Sequence, residues 1–305
     1  MSDLPLVSIV VVSYNQGKYI RENLDSIKAQ TYPNIELIVA DDASQDNSVD
    51  VFNEWLKENN YPAQTNYHTK NTGLATTLNE SVEMVTGKYV KFIAADDFLH
   101  PESIEKCVQR LEDLGEEYGM VHTNVHCIDD ASKIIEDRID LNKFNDVDKD
   151  EFRRNLLKSN TIAALSVVLR TEVLRETGLY DNTFLVEDFY RWLKINEKYY
   201  IAYVAEKLAF YRLHPTNISA LKQNIVEEDV YILKMLFDQG LYHQEIKSYV
   251  FNRYLNADVT PRLLKYYRNY QNRDKQLLFF INGCFPAVIY RIYNKFLRFL
   301  QTAKR

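Results

Sequence analysis

A chain of 305 residues that is 26% charged and 46% hydrophobic, with a net charge of −6, is long enough for one large globular domain or a domain with a smaller appendage, which excludes disorder and collagen-like repeats. Its eight glycines, at positions 17, 73, 87, 115, 119, 178, 240 and 283, never stand two apart. Neither a GxGxxG fingerprint nor a Walker A loop can be written, so Rossmann dehydrogenases and P-loop NTPases are set aside. The three cysteines, Cys107, Cys127 and Cys284, are odd in number and far apart, which fits neither a disulfide scaffold nor a CxxC zinc site and suits a reducing cytoplasm.

The apolar opening, residues 4–12, follows Asp3 rather than a basic residue and runs into polar Ser13-Tyr14-Asn15, so it is expected to be a buried strand and not a signal peptide. No run approaches the roughly 20 apolar residues of a spanning helix. Strands are expected at 6–12, 35–40, 89–94 and 120–125, with helices at 18–30, 48–59, 74–85 and 102–114. Continuous runs such as SIVVV and ELIVA suit strands buried on both faces, and their alternation with helices predicts an α/β architecture with a mainly parallel sheet and helices on each side. Ligands of such sheets sit beyond the carboxyl ends of the strands. Those ends here are Ser13-Tyr14-Asn15, Asp41-Asp42 and Asp96-Asp97.

Residues 128–157 are polar and acidic and predict loops with a short helix. A strand is expected at 162–169, a helix from about Glu187, and a short strand at 207–212. Beyond residue 219 only helical patterns remain, at 231–237, 246–255 and 262–270, which places a boundary near residue 220 between a domain 1–220 and a helical region 221–305. From 261 to 305 ten lysines and arginines face Asp274 alone, a net of +9, leaving −15 to the rest of the chain. Such asymmetry hints at an anionic surface partner.

Each acidic pair has two readings. Asp41-Asp42, followed by Ala-Ser and Asp46-Asn47-Ser48, is either a turn leading to a helix cap or a ligand site. Asp96-Asp97 concentrates charge at the end of a buried strand, which asks for a cation; hard oxygen ligands suit Mg²⁺ or Mn²⁺ completed by substrate phosphates. Without a P-loop, a phosphate-bridging metal at this edge points to a nucleoside-diphosphate substrate. Glu187-Asp188 at a helix start could simply oppose the macrodipole. His214 could be a structural hydrogen-bonding residue. His122 and His126 are expected on a strand and receive no role.

Four segments, VSIVVVSYNQGKYIRENLDSIKAQTYPNIELIVADDASQDNS, NTGLATTLNESVEMVTGKYVKFIAADDFLHPE, LVEDFYRWLKI and YRLHPTNIS, resemble in order and spacing the inverting family-2 glycosyltransferases of the GT-A fold, from about residue 5 to about 219. The resemblance implies that Ser13, Tyr14 and Asn15 cradle a nucleotide base and that Asp42 accepts a hydrogen bond from it, as a carboxylate can from a uracil imide. The family's FLDxDD reads FIAADD here, so Ala94 replaces the acid that normally touches sugar or ribose. Asp96 then matches the metal-binding acid, which also contacts the nucleotide, Asp97 follows it as a further metal ligand, and His214 matches a histidine that helps bind metal or diphosphate. Many members carry arginine where this chain has Leu78, so no diphosphate contact is assigned beside Asn79. Glu187-Asp188 aligns with the Glu-Asp element, whose aspartate is the general base. Arg191-Trp192 lacks the glutamine three residues before it that marks processive synthases; Asp188 stands there.

The resulting expectation is a non-processive hexosyl- or N-acetylhexosaminyl-transferase, dependent on Mn²⁺ or Mg²⁺. It would move one sugar from a nucleotide donor, most simply a UDP-sugar, to a hydroxyl of a growing surface glycan, free or lipid-linked. The rivals are a nucleotidyltransferase, whose Gly-rich start is missing, and a catalytically silent sugar-nucleotide or glycan-binding module. No nucleic-acid partner is expected. Within 287–300, Arg291, Lys295 and Arg298 share one helical face while Ile289, Ile292, Tyr293, Phe296 and Leu300 populate the other. Residues 287–305 therefore suggest peripheral association with the inner face of a membrane; packing on the catalytic domain or on a second copy in a homo-oligomer is the alternative.

Overall fold

A computed structural model describes residues 4–136, 148–215, 217 and 222–302. The chain divides into two compact units, Met1–Leu221 and Lys222–Arg305. The expected boundary at residue 220 and part of the 128–157 segment lie outside the described residues.

The first unit is built on one eight-stranded sheet in the order β3-β2-β1-β4-β7-β6-β8-β5. Its strands are β1 (Val7–Ser13), β2 (Ile35–Asp41), β3 (Ala63–Tyr67), β4 (Tyr89–Ala94), β5 (Phe98–Leu99), β6 (Tyr118–Ile128), β7 (Val168–Arg170) and β8 (Tyr200–Arg212). The helices are α1 (Ile20–Lys28), α2 (Ser48–Asn59), α3 (Leu74–Met84), α4 (Ser103–Leu114), α5 (Lys149–Asn155), α6 (Thr171–Glu176) and α7 (Glu187–Asn196). Pairing is parallel among β3, β2, β1 and β4 and between β6 and β8, and antiparallel where β7 joins β4 to β6 and where β5 meets β8.

The apolar runs fold as strands because both of their faces find cover. Val7, Ile9, Val11, Leu37, Val39, Tyr89 and Ile93 share a core with Ile20 and Leu24 of α1, Phe52 and Trp55 of α2, and Ile104 and Leu111 of α4. The alternate residues Val10, Ile38 and Val90 are equally buried, and the period of two places them on the opposite face. Register aligns the carboxyl ends: Ser13 lies opposite Asp41, and Val12 opposite Ala94. The Asp42 N–H donates to Ser13 O at 3.0 Å and the Ala95 N–H to Val12 O at 2.9 Å.

The strands β3 and β5 have no counterpart among the expected elements, and two of the expected strands differ in extent. Residues 162–169 do not form one strand; Ala164–Ser166 is a 3-10 turn, and only Val168–Arg170 pairs. The turn is held in place by Lys91, a fully buried amine that donates to Leu165 O at 2.6 Å and Val167 O at 3.3 Å. Burial lowers this amine's pKa to about 8. The last strand is longer than its apolar stretch suggests, beginning at Tyr200, and it passes Glu206 and Lys207 where the register with β6 shifts.

The second unit contains α8 (Gln223–Phe237), α9 (His243–Leu255), α10 (Pro261–Asn269), α11 (Lys275–Asn282) and α12 (Ala287–Thr302). Thr260 and Asp274 cap α10 and α11 by accepting the Leu263 and Leu277 N–H groups, and Pro261 opens α10 where no N–H is needed. Ile232, Leu233, Ile246, Val250, Leu263, Tyr267, Leu277 and Tyr290 are buried. Among the described residues no helix is long and apolar enough to cross a membrane.

Gly87 precedes β4 where the chain passes closest to β1: a Cβ there would lie 2.7 Å from Leu6 O and 2.8 Å from the Ser8 nitrogen. Backbone atoms yield little, so Gly87→Ala should destabilise the protein by about 1–3 kcal/mol, the usual cost of overpacking. Thermal melting should show a midpoint several degrees lower, and an unchanged midpoint would mean that the strand start shifts freely.

Candidate active site

The loops after β1 and β2 are tied into one surface. Asn15, in the left-handed region at φ 55°, donates its N–H to Ser44 Oγ at 2.8 Å and accepts the Gln45 N–H on Oδ1 at 2.7 Å. The Gln16 and Gly17 N–H groups donate to Ser48 Oγ and Asp46 Oδ2. Tyr14 is left exposed beside them, while Ser13 is buried with its hydroxyl unpartnered.

The two members of each acidic pair do different things. Asp41 is fully buried and accepts the Ser44 N–H and hydroxyl at 2.8 and 2.6 Å, which is the turn expected of it. Asp42 accepts four hydrogen bonds: the Thr72 N–H at 2.7 Å, the Gly73 N–H at 2.8 Å, His68 Nδ1 at 2.9 Å and the Thr72 hydroxyl at 3.1 Å. Gly73, with φ +90°, supplies the left-handed turn that aims both N–H groups at the carboxylate. Burial works against ionised Asp42, but these donors outweigh it and hold its pKa below the usual value. His68 bridges Asp42 to Glu80, whose Oε2 lies 2.7 Å from Nε2. Burial opposes the charge on the ring, yet the two carboxylates prevail and raise its pKa.

Asp96 and Asp97 also part. Asp96 Oδ2 meets His214 Nε2 at 2.8 Å, an approach possible because β5 pairs with β8 and returns the residues after Arg212 to the end of β4. Asp97 Oδ1 accepts the Arg212 N–H at 2.8 Å. Its burial, and then the charge of Asp96 beside it, push its pKa well above the usual carboxylate range. Arg212 is itself buried, with Nε on Asp96 O, Nη1 on Asp129 O and Ser132 Oγ, and Nη2 on Glu22. Tyr19 stacks on the His214 ring, and its own ring lies under the Arg212 guanidinium.

Asp188 begins α7 beside half-buried Glu187. Its Oδ2 accepts Asn160 Nδ2 at 3.1 Å and its Oδ1 the Phe189 N–H at 2.6 Å. Desolvation exceeds both bonds and raises its pKa. Asn79 holds the approach to α7 by a reciprocal pair with the Tyr180 backbone, at 2.8 and 3.0 Å. Leu78 beside it is a core residue. Arg191 and Trp192 point inward and are buried; the Arg191 guanidinium lies over the Tyr180 ring and donates to Thr177 Oγ1. His122 is buried between Phe152 and Tyr203, and burial lowers its pKa to about 3.

Among the described residues no group of three or more His, Cys, Asp or Glu side chains is assembled for a metal. Asp96 and His214 together offer two donors, one hard oxygen and one imidazole. That suits a divalent cation which takes its remaining ligands from phosphate and water.

The sequence profile described as glycosyl transferase family 2 matches residues 8–176, more than half of the chain. The chain belongs to that family. The glycosyltransferase is 28% identical over 262 residues to TuaG of Bacillus subtilis, provisionally named a teichuronic acid biosynthesis glycosyltransferase, covering 85% of this chain and 98% of that one. It is 26% identical over 288 residues to a hyaluronan synthase of Pasteurella multocida, where it covers 90% of itself but 28% of the synthase. It likewise spans 42% of a Rickettsia bellii glycosyltransferase at 27% identity. Among solved structures, residues 1–349 of S. aureus TarS in complex with UDP-GlcNAc superpose with a TM-score of 0.63 at 14% identity, covering 89% of this chain and 82% of that one. The Pyrobaculum calidifontis mannosyltransferase PcManGT, in complex with GDP-Man and Mn²⁺, gives 0.57 at 17% identity, with 97% and 81% covered. These likenesses are of fold, and they bear out the GT-A expectation for the glycosyltransferase.

Sequence reasoning assigned nothing to His68, Thr72, Asn79, Asn160 or Arg212. Arg212 lies within YRLHPTNIS, and Thr72 and Asn79 within NTGLATTLNES, without a role of their own, and no local pattern marks His68 or Asn160. Asp42→Asn sets an amide N–H₂ among donors, so one or more buried N–H groups lose their acceptor. The expected cost is about 1–3 kcal/mol. Denaturant unfolding of Asp42→Asn should show a lowered midpoint, and wild-type stability would show that the 68–73 loop is not held by this carboxylate.

Proposed function

We propose that the protein is an inverting glycosyltransferase that moves one sugar from a UDP-sugar, with a divalent cation, to a hydroxyl of a growing surface glycan. The observation that carries this is the placement of the acids: Asp41 and Asp97 close turns of the fold, while Asp42, Asp96 and Asp188 stand in three different hydrogen-bonding environments. Support for the donor comes from TarS, whose structure holds UDP-GlcNAc, and for the acceptor from TuaG, named for teichuronic acid biosynthesis.

Ser13, Tyr14 and Asn15 contribute the wall for the base, with the exposed Tyr14 ring available for stacking. Asp42 accepts the base imide N–H, in place of the Thr72 hydroxyl that forms its longest bond. Asp96 and His214 would hold Mn²⁺ or Mg²⁺, which when bound stabilises negative charge on a diphosphate leaving group. Asp97, on Arg212, holds the turn that presents Asp96. Asp188, kept ionised by Asn160 and the Phe189 N–H and made more basic by desolvation, takes the acceptor hydroxyl proton as the oxygen attacks the anomeric carbon; Glu187 lies beside it. A single displacement inverts the anomeric centre. The buried Arg191-Trp192 pair packs the helix that carries this base.

Isothermal titration of UDP with and without Mn²⁺ tests the metal site. Asp96→Ala should lose the metal effect, whereas Asp97→Asn, which can still accept the Arg212 N–H, should keep it; the reverse ranking would reject the assignment.

Asp188→Asn should bind UDP normally and lower turnover by about 10²-fold or more. Asn160→Ala removes a bond to the charged carboxylate and so raises the Asp188 pKa further. The acid limb of its pH–rate profile should then move to higher pH, with plateau activity largely recovered on the alkaline side. Near wild-type turnover in Asp188→Asn, or an unmoved limb in Asn160→Ala, would remove Asp188 from the base role.

A further inference from the structure

The helix α12 (Ala287–Thr302) contains no acidic residue. Tyr290 is buried against Phe251 and Phe280, with ring centroids at 5.2 and 5.3 Å, and Tyr293 also packs on Phe280, at 5.6 Å. These contacts fix which side of the helix faces the second unit. On the opposite arc Val288, Ile289, Ile292 and Phe296 are exposed, Ile292 by 64% and Phe296 by 58%. Arg291 and Lys295, also exposed, flank this strip one helical step away. The preceding helix and turn extend it: Phe279 and Phe285 are exposed and pack on each other at 5.7 Å.

We propose that this face docks the protein on an anionic lipid surface, with α12 lying in the headgroup layer and not crossing it. Apolar side chains this large, bordered by cations and uncovered by the fold, match an in-plane interfacial helix. The charge argues for lipid: residues 261–305 carry net +9 in a chain whose remainder is net −15, so the basic surface meets an anionic bilayer while the acidic remainder disfavours close approach elsewhere. A strip that mixes protruding aromatics with cations, and has no acid to pair with them, is less suited to its own copy. The inference does not rest on the donor or acceptor assigned above.

The test is sedimentation of the full chain with vesicles of equimolar phosphatidylcholine and phosphatidylglycerol, against vesicles of phosphatidylcholine alone, at low and high salt. Wild type should sediment with the anionic vesicles at low salt and be released by high salt. Ile292→Ser/Phe296→Ser should abolish sedimentation. Arg291→Gln/Lys295→Gln should weaken it by about tenfold or more, at about 1 kcal/mol per basic residue. All four side chains are exposed, so both variants should keep the wild-type circular dichroism and UDP-induced thermal shift. Wild type remaining in the supernatant, or both variants sedimenting as wild type does, would overturn the proposal. So would a wild-type dimer that the apolar variant converts to a monomer without any vesicle binding, which would assign the face to a second copy.

Discussion

The Arg212 guanidinium is the junction on which the site depends. It is buried and bonded through every nitrogen, to Asp96 O, Asp129 O, Ser132 Oγ and Glu22, and its own N–H holds Asp97. Three separate stretches of chain, at Glu22, at Asp96-Asp97 and at residues 129–132, therefore converge on one residue at the end of β8. Without it the buried Asp96 carbonyl would need another donor in a place water reaches poorly, at about 1–3 kcal/mol. The return of His214 to Asp96 follows from this anchoring, because only one residue separates His214 from Arg212.

The two acids of each pair take different partners, and the fold exploits this at the ends of β2 and β4, the two strands that flank β1. After β2, Asp41 closes the turn with Ser44 while Asp42 reaches the 68–73 loop. After β4, Asp97 faces Arg212 while Asp96 faces His214. The structural reading of each acidic pair is met by one residue, Asp41 or Asp97, and the other acid of the pair carries the chemical reading proposed above. A parallel sheet makes this productive, since its strands deliver their carboxyl ends to one edge.

What was legible in the sequence follows from this physics. Strands such as 7–13 and 35–41 show as apolar runs because both faces are covered, and helices such as 48–59 show because one face is. The strand Ala63–Tyr67 reads AQTNY and sits at the sheet edge, where little apolar surface is required; it gives no signal. Residues 162–169 look like a strand because they are apolar, but Lys91 captures two of their carbonyls and bends them into a turn. The site acids were visible as types at strand ends and at a helix start. His214, 118 residues from Asp96, was visible through the family resemblance, but Asn160, 28 residues from Asp188, and His68, 26 from Asp42, were not.

The same side chain serves three ends according to how many donors surround it. Asp42 has four, two of them backbone N–H groups, and stays ionised with a lowered pKa despite its burial. Such a carboxylate is a fixed acceptor, suited to recognition and too weak a base to take a proton. Asp97 has the Arg212 N–H and the like charge of Asp96 beside it, and its pKa rises well above the usual range, which suits a group that only has to hold a turn. Asp188 lies between them. Two donors keep it oriented, and desolvation still wins, so its basicity is raised without surrounding it with donors. A general base must gain by accepting a proton, and the raised pKa of Asp188 beside two orienting donors is the environment that fits the base role proposed for it.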